Sequence, residues 1–141
     1  MARQRVRGNS VSELPFILVA EDDHLLRTLV EESLIDAGFS ADLVASGEEA
    51  LALLTGHSGK YRALVTDINL IGKIDGWEVA HRAREINPAF PIVYMSGAQA
   101  DEWASKGVPN SIILAKPFAP AQLVTALAQL LNAAPPPATG T

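Results

Sequence analysis

The stretch from residue 16 to residue 38, FILVAEDDHLLRTLVEESLIDAG, decides the fold of this 141-residue chain. It opens with an apolar run at residues 16–20, which has the length of one buried strand. A segment of helical periodicity follows at residues 23–37, and Gly38 stands where a helix C-terminal cap is expected. Two acidic residues, Glu21 and Asp22, separate the two segments, and a third, Asp23, begins the helical one. The stretch therefore predicts a strand–helix unit with polar groups at the turn between them.

The same alternation recurs along the whole chain. Apolar runs of strand length lie at residues 16–20, 40–45, 63–66, 91–95 and 111–114, and helical segments are expected at residues 23–37, 47–55, 76–86, 99–106 and 120–131. Strands that alternate with helices pair in parallel, because each helix carries the chain back across the sheet. The predicted fold class is α/β, with a five-stranded parallel sheet in a doubly wound (βα)5 arrangement. The first, third and fourth runs are expected to be the most deeply buried.

One domain is expected, at residues 16–132. Residues 1–15 contain three arginines and are predicted to be a flexible leader. The segment 133–141, AAPPPATGT, cannot continue a helix and is predicted to be a disordered tail. Two helix starts are indicated by their first residues: Ser46 with Glu49 has the capping-box spacing, and Asp75 before Gly76 is expected to be a turn and N-cap.

Composition excludes several classes of function. The chain has no cysteine, so a disulfide framework, a thiolate metal site and a catalytic thiol are ruled out. No apolar run approaches the ~20 residues that span a bilayer, and the start lacks the apolar centre of a secretory signal, so a cytoplasmic location is expected. The net charge of −5 argues against nucleic-acid binding. Three histidines, His24, His57 and His81, lack metal-ligand spacing and are expected at the surface.

Polar residues follow the predicted strands at the edge where a doubly wound sheet places its functional groups. The first strand is followed by Glu21 and Asp22, and the third by Asp67. Mutual repulsion among carboxylates at one edge calls for a cation, and a donor set made only of oxygen favours Mg²⁺. Ser96 ends the fourth strand and Lys116 follows the fifth. Together these residues predict a site for phosphoryl transfer to a carboxylate.

Five pieces of sequence, in this order and spacing, resemble the receiver domain of response regulators. They are FILVAEDD, LVTDIN, IDGWEVA, YMSGA and ILAKPF, and the resemblance covers residues 16–131. It implies the flavodoxin-like receiver fold, with Asp67 as the phosphoacceptor. Asp22, Asp67 and the backbone carbonyl of Asn69 would be the ligands of Mg²⁺, which Mn²⁺ could replace, and Glu21 would act through water.

The resemblance further implies roles for the remaining site residues. Ser96 resembles the switch hydroxyl that bonds the phosphoryl group, and Lys116 the lysine that pairs with it, followed by a cis bond before Pro117. The phosphodonor would be a phosphohistidine of a histidine kinase or histidine phosphotransfer protein. Such a domain takes part in its own phosphorylation and dephosphorylation and is otherwise not an enzyme.

The expected output is a binding event rather than a second activity. Phosphorylation would change the surface formed by the fourth helix, fifth strand and fifth helix, which would then bind a downstream protein or a second copy of the chain. Onward phosphorelay is the other possible output. The sequence offers no DNA-binding output domain, no contact with nucleic acid and no membrane contact.

The sequence departs from the receiver pattern at two places. The segment from Asp67 to Gly76, DINLIGKIDG, is one residue longer than in typical members and lacks their proline. Ile113 stands where the family usually has an aromatic switch residue. Tyr94 and Trp103 could supply a substitute ring, although a packing role is expected for each.

Two other functions were weighed from the residues. A Mg²⁺-dependent phosphohydrolase of haloacid-dehalogenase type also forms an aspartyl phosphate, but its nucleophile lies in a D-x-D motif on the first strand, a spacing that AEDD lacks. A flavodoxin-like electron carrier would need a phosphate-binding loop rich in Ser, Thr or Gly after the first strand. The acidic residues found there would repel the flavin phosphate.

Overall fold

The structure is a computed structural model that describes residues 15–57 and 59–133. The predicted leader at residues 1–15 lies outside this range except for Pro15. The predicted tail at residues 133–141 lies outside it except for Ala133, which ends the last helix. Within the described residues, no helix has the length and apolar character needed to cross a membrane.

Five strands alternate with five helices, as predicted. The strands are β1 (Phe16–Ala20), β2 (Ser40–Val44), β3 (Tyr61–Asp67), β4 (Ile92–Ser96) and β5 (Ile112–Ala115). The helices are α1 (His24–Asp36), α2 (Gly47–Gly56), α3 (Gly76–Ile86), α4 (Trp103–Lys106) and α5 (Pro120–Ala133), and a 3-10 turn (Ala100–Glu102) precedes α4.

All strands are parallel and lie in the order β2-β1-β3-β4-β5. This order reverses direction between β1 and β3, so the chain winds outward from the middle of the sheet both ways. The doubly wound prediction is confirmed. Strands β1 and β3 are neighbours, with Ala20 paired to Thr66, so the residues that follow them meet at the same edge.

The core has two layers because helices cover both faces of the sheet. One layer is formed by β-sheet residues with α2 and α3, and includes Leu54, Val79 and Tyr94. The other lies under α1 and α5 and includes Leu34 and Leu127. Strands β1, β3 and β4 are the most buried, whereas β2 and β5 form the edges and are partly exposed, as their less continuous apolar sequence predicts.

Local capping signals were also confirmed. The Ser46 hydroxyl accepts a hydrogen bond from the backbone N–H of Glu49 at 3.1 Å, and the Glu49 carboxylate reaches back to the N–H of Ala45 at 2.8 Å. Asp75 accepts from the N–H of Glu78 at 2.9 Å. Gly38, just beyond α1, has a φ of 95°, a conformation that glycine adopts without strain.

The predicted bounds were wrong by two residues or more at three elements, one of which is α5, whose end at Ala133 lies two residues beyond the predicted one. Strand β3 begins at Tyr61, two residues earlier than expected, because the Tyr61 side chain is buried and its hydroxyl donates to Asp42 at 2.7 Å. The predicted helix at residues 99–106 is broken into a 3-10 turn and the short α4. Just before the 3-10 turn, the Ser96 hydroxyl accepts a hydrogen bond from the N–H of Gln99 at 2.8 Å.

Candidate functional site

Three carboxylates converge at the carboxyl edge of the sheet, between the neighbouring strands β1 and β3. Glu21 and Asp22 follow β1 directly, and Asp67 is the last residue of β3. One oxygen from each of the three side chains lies within 4.8 Å of the others. Asp23, the next acid along the chain, lies outside the cluster and caps α1 by accepting from the N–H of Leu25 at 2.9 Å. The pairing of the strands therefore assembles the predicted acidic site.

Lys116 reaches the same cluster from the end of β5. Its backbone N–H donates to the carbonyl of Ser96 at 2.8 Å, and the bond to Pro117 is cis, as the resemblance implied. Its ammonium nitrogen lies 3.1 Å from Oδ2 of Asp67 and 3.4 Å from Oε1 of Glu21. Burial would lower the pKa of Lys116, but the hydrogen bond to Asp67 and the two carboxylate charges outweigh it and raise the pKa.

Glu21 is the most buried member of the cluster, with no exposed surface. Its Oε2 accepts from the N–H of Asp23 at 2.9 Å, while Oε1 has no hydrogen-bond partner within the described part of the chain. The Lys116 ammonium lies 3.4 Å from Oε1. Burial, together with the charge of Asp67, raises the pKa of Glu21 to about 7 against the opposing effects of Asp23 and Lys116.

The donor set fits a hard divalent cation. It consists of carboxylate oxygens, one of which is buried and lacks a hydrogen-bond donor. Histidine and cysteine take no part in it, so Mg²⁺ suits the cluster better than zinc or copper. Asn69, the fourth expected contributor, lies two residues beyond Asp67 in an exposed turn, with its backbone carbonyl on the loop that borders the cluster.

Ser96 ends β4 and is buried, and its hydroxyl is bonded to Gln99. The hydroxyl accepts from the N–H of Gln99 at 2.8 Å and donates to the Gln99 side chain at 3.3 Å. Within the described residues it makes no hydrogen bond to Asp67, whose neighbour across the sheet is Met95. The structure therefore brings together the carboxylates of Glu21, Asp22 and Asp67 and the ammonium of Lys116. The Ser96 hydroxyl bonds Gln99 instead.

Gly76 is a site residue that the sequence analysis took only for the start of a helix. Its N–H donates to the carbonyl of Ile68 at 2.8 Å and closes the loop after Asp67. A Cβ on Gly76 would overlap the backbone oxygen of Asp67 and lie 2.8 Å from Cα of Ile68. The only signal for this role was the Asp-Gly pair before α3, which is common in turns and carries no information about the close approach.

The residues at the departures from the receiver pattern pack as expected. Ile113 is partly buried against the core layer that contains Tyr94. Tyr94 is fully buried, lies 4.8 Å from the ring of Trp77 and accepts a hydrogen bond from the N–H of Val108 at 3.1 Å. The Trp103 indole donates to the hydroxyl of Ser111 at 2.9 Å.

The three histidines are exposed, as predicted. His81 bonds the carbonyl of Lys106 at 2.9 Å, and His24 lies 3.4 Å from the Arg27 guanidinium. None of the three belongs to the acidic cluster, the one group of potential metal ligands found among the described residues.

Two solved structures illustrate the similarity of the fold. A response regulator receiver protein from Sinorhizobium medicae WSM419 has 51% sequence identity and a TM-score of 0.83, covering 86% of this chain and 97% of that one. The receiver domain of sensor histidine kinase PA1611 from Pseudomonas aeruginosa PAO1 has 26% identity and a TM-score of 0.72, over 85% of this chain and 99% of that one. The latter has a magnesium ion coordinated in its active site cleft.

Curated relatives match over the same region. The transcriptional regulatory protein TctD of Salmonella typhimurium is 36% identical over 118 residues, which are 82% of this chain and 51% of the relative. The transcriptional regulatory protein TcrA of Mycobacterium tuberculosis is 35% identical over 123 residues, 86% of this chain and 47% of that protein. The chain thus spans about half the length of these relatives.

One family model matches most of the chain, including the residues of the acidic cluster and Lys116. The model described as response regulator receiver domain matches residues 17–128, which include every residue of the acidic cluster together with Ser96 and Lys116. The chain therefore belongs to the response regulator receiver domain family of two-component signalling.

Proposed function

We propose that the chain accepts a phosphoryl group on Asp67 from a phosphohistidine of a sensor kinase or a histidine phosphotransfer protein, in a Mg²⁺-dependent reaction. The observation that supports this most strongly is the Lys116 ammonium, 3.1 Å from Oδ2 of Asp67 and beside the carboxylates of Glu21 and Asp22. A carboxylate next to a fixed cation has the groups needed to receive and hold a phosphoryl group. Kinases and phosphotransfer proteins are the general partners of this family.

The transfer is a displacement at phosphorus. A carboxylate oxygen of Asp67 forms the new P–O bond while the P–N bond to the donor histidine breaks, and the electron pair of that bond stays with the imidazole nitrogen. Since the transition state of phosphoryl transfer is loose, positioning and charge neutralisation provide most of the catalysis. Lys116 is placed to move its ammonium from the carboxylate oxygen to an oxygen of the phosphoryl group.

A divalent cation has a defined set of proposed ligands. Asp22, Asp67 and the backbone carbonyl of Asn69 would hold Mg²⁺, and Glu21 would act through a bound water, with Mn²⁺ as a possible replacement. When bound, the ion neutralises negative charge on the transferring group. The buried Oε1 of Glu21, which lacks a hydrogen-bond donor, supports its part in this set.

The proposed output begins at Ser96. Its hydroxyl now bonds Gln99 and would turn to the phosphoryl group once one is present. Ser96 is paired with Ala115 of β5, so its movement adjoins the surface formed by α4, β5 and α5. We propose this surface as the contact for a downstream protein or a second copy of the chain, with onward phosphorelay as the other output.

The curated relatives are named as transcriptional regulators, and this chain matches about half of their length. For this chain we propose only the receiver step and the event that follows it, with no enzymatic activity beyond its own phosphorylation and dephosphorylation. A cytoplasmic location and the lack of nucleic-acid contacts stay predictions from the sequence.

Labelling with acetyl phosphate and Mg²⁺ tests the assignment of Asp67. Intact-mass measurement is expected to show one added phosphoryl group on the wild-type protein, none on Asp67→Ala, and one on the control Asp101→Ala, which removes an exposed acid that is not part of the cluster. Chelation of the metal should abolish the labelling. Equal labelling of Asp67→Ala would refute the assignment, and turnover of a free phosphate ester would favour the phosphohydrolase.

A further inference from the structure

The loop between β3 and α3, residues 68–75, is held against the start of α2 by two contacts of its backbone. Ile71 forms a parallel β-bridge with Ser46, the N-cap of α2. Two residues later in the loop, the backbone N–H of Lys73 donates to Oε2 of Glu48 at 2.9 Å. This bond joins residues that are far apart in sequence. Because its acceptor is a charged carboxylate, it is stronger than a hydrogen bond between neutral groups.

Two glycines allow this close contact. Gly72 has a φ of 94°, and a Cβ on it would lie 2.7 Å from Oε1 of Glu48. Gly47 lies against the loop from the other side, where a Cβ would be 2.6 Å from the carbonyl oxygen of Ile74. The side chain of Glu48 therefore lies along the backbone of the loop and occupies the space that a side chain at position 72 would need.

The first turn of α2 contains two acids, Glu48 and Glu49. An acid in the first turn interacts favourably with the helix dipole, and Glu49 supplies one there while also capping the helix. The Glu48 carboxylate instead reaches across to the loop. The N–H of Lys73, as the largest influence, lowers the pKa of Glu48, so this carboxylate is ionised at neutral pH.

The loop at residues 68–75 contains Asn69. Its two ends are held by the sheet and by α3, because Ile68 donates to the carbonyl of Met95 at 3.2 Å and accepts from Gly76 at 2.8 Å. Leu70 and Ile74 pack against the core, whereas the exposed residues 71–73 between them are held by the contacts with α2. This loop is also where the chain is longer than typical members of its family.

We propose that Glu48 is a positioning residue for the Asp67 site: by holding the loop after β3 through the N–H of Lys73, it fixes the backbone carbonyl of Asn69 for metal binding. The proposal rests on the proposed function of the site. Glu48 itself is no part of the acidic cluster and touches none of the reacting atoms.

Hydrogen exchange of the Lys73 amide, measured by NMR in the metal-free full chain, tests the contact directly. In Glu48→Ala this amide is expected to exchange at least about fivefold faster than in the wild-type protein, because a bond to a charged acceptor is lost. Glu48→Gln retains an acceptor oxygen and should restore most of the protection. The control Glu49→Gln removes a charge from the same turn, keeps the capping bond, and should leave the amide unchanged.

Mg²⁺ titration, followed by the fluorescence of the tryptophans, tests the consequence for the site. Glu48→Ala and Gly72→Ala are each expected to weaken Mg²⁺ binding by roughly threefold to tenfold. This is at or below the low end of the loss of affinity seen when residues that orient metal ligands are replaced. The double variant should be no weaker than the single ones, since both disrupt the same contact. Glu48→Gln should bind within about twofold of the wild-type protein, as should Glu49→Gln.

Three outcomes would overturn the proposal. One is unchanged amide exchange in Glu48→Ala, and a second is unchanged Mg²⁺ binding by that variant. The third is Glu48→Gln binding Mg²⁺ as weakly as Glu48→Ala, which would show that Glu48 acts through its charge alone. If the wild-type protein fails to bind Mg²⁺ or to be labelled at Asp67, the proposed function itself is wrong and this inference falls with it.

Discussion

Replacing Lys116 by Met tests how strongly the acidic cluster depends on its own cation. Among the described residues, Lys116 is the only base within ion-pair distance of Asp67 or Glu21, at 3.1 Å and 3.4 Å. Methionine keeps an unbranched apolar stem of similar volume and removes the charge. The substitution leaves three carboxylate oxygens within 4.8 Å of one another without a compensating ammonium.

The magnitude follows from the distances and the burial. At an effective dielectric constant of ~20, one pair at 3.1 Å is worth about 5 kcal/mol before desolvation. Desolvation of the ammonium offsets much of this, and the Lys116 side chain is 26% exposed, so solvent screens the pair further. We therefore expect the metal-free variant to be about 2 kcal/mol less stable, below the ~3–5 kcal/mol for breaking a fully buried pair.

Urea and thermal denaturation in the presence of a chelator measure this difference. A loss of about 2 kcal/mol corresponds to roughly 8 °C in Tm for a domain of this size. Lys106→Met is the matched control: its ion pair with Glu102 is exposed, so the loss of stability should be much smaller than that of Lys116→Met. Added Mg²⁺ should reduce the difference in stability between Lys116→Met and the wild-type protein. A variant as stable as the wild-type protein without metal would refute the reasoning.

Two further variants test the surroundings of the site. Gly76→Ala should lose about 3 kcal/mol of stability to urea and bind Mg²⁺ poorly, because its Cβ would be forced against the backbone of Asp67 and Ile68; normal stability would show that the loop can shift freely. Asp42→Asn should make the free energy of unfolding fall less steeply as the pH is lowered, the acid limb of the stability curve. Burial raises the pKa of Asp42, but hydrogen bonds from Lys60 and Tyr61 outweigh it and hold the pKa below its usual value. The stabilisation by Asp42 is therefore present above about pH 4 and lost as the pH falls through the folded-state pKa. An unchanged limb in urea titrations at several pH values would contradict this.

The sequence analysis predicted most of the site because strand ends are visible in a sequence. Asp67 and Glu21 each follow a long apolar run, and parallel strands place such residues at one edge. Asp75 was correctly assigned to a helix cap. The roles of Asp67, Asn69 and Ser96 in phosphoryl transfer stay predictions until the labelling experiment is done.

The analysis missed features that depend on contacts between distant residues. The sequence analysis assigned no role to Glu48, and only the folded chain shows its bond to Lys73. Gly76 looked like a turn residue, although it lies against the acceptor's backbone. The division of the predicted helix into a 3-10 turn and the short α4 was likewise visible only in the folded chain.

By itself, the sequence determined the α/β class, the parallel sheet, its most buried strands and the carboxylates at its edge. These follow from local periodicity and from the chain direction, which every segment carries in its own residues. Only the tertiary structure decided which carboxylate pairs with Lys116, that Ser96 bonds Gln99, and how the longer loop is held by α2. Such contacts are set by distances of a few ångströms between segments remote in sequence, and no local pattern encodes those distances.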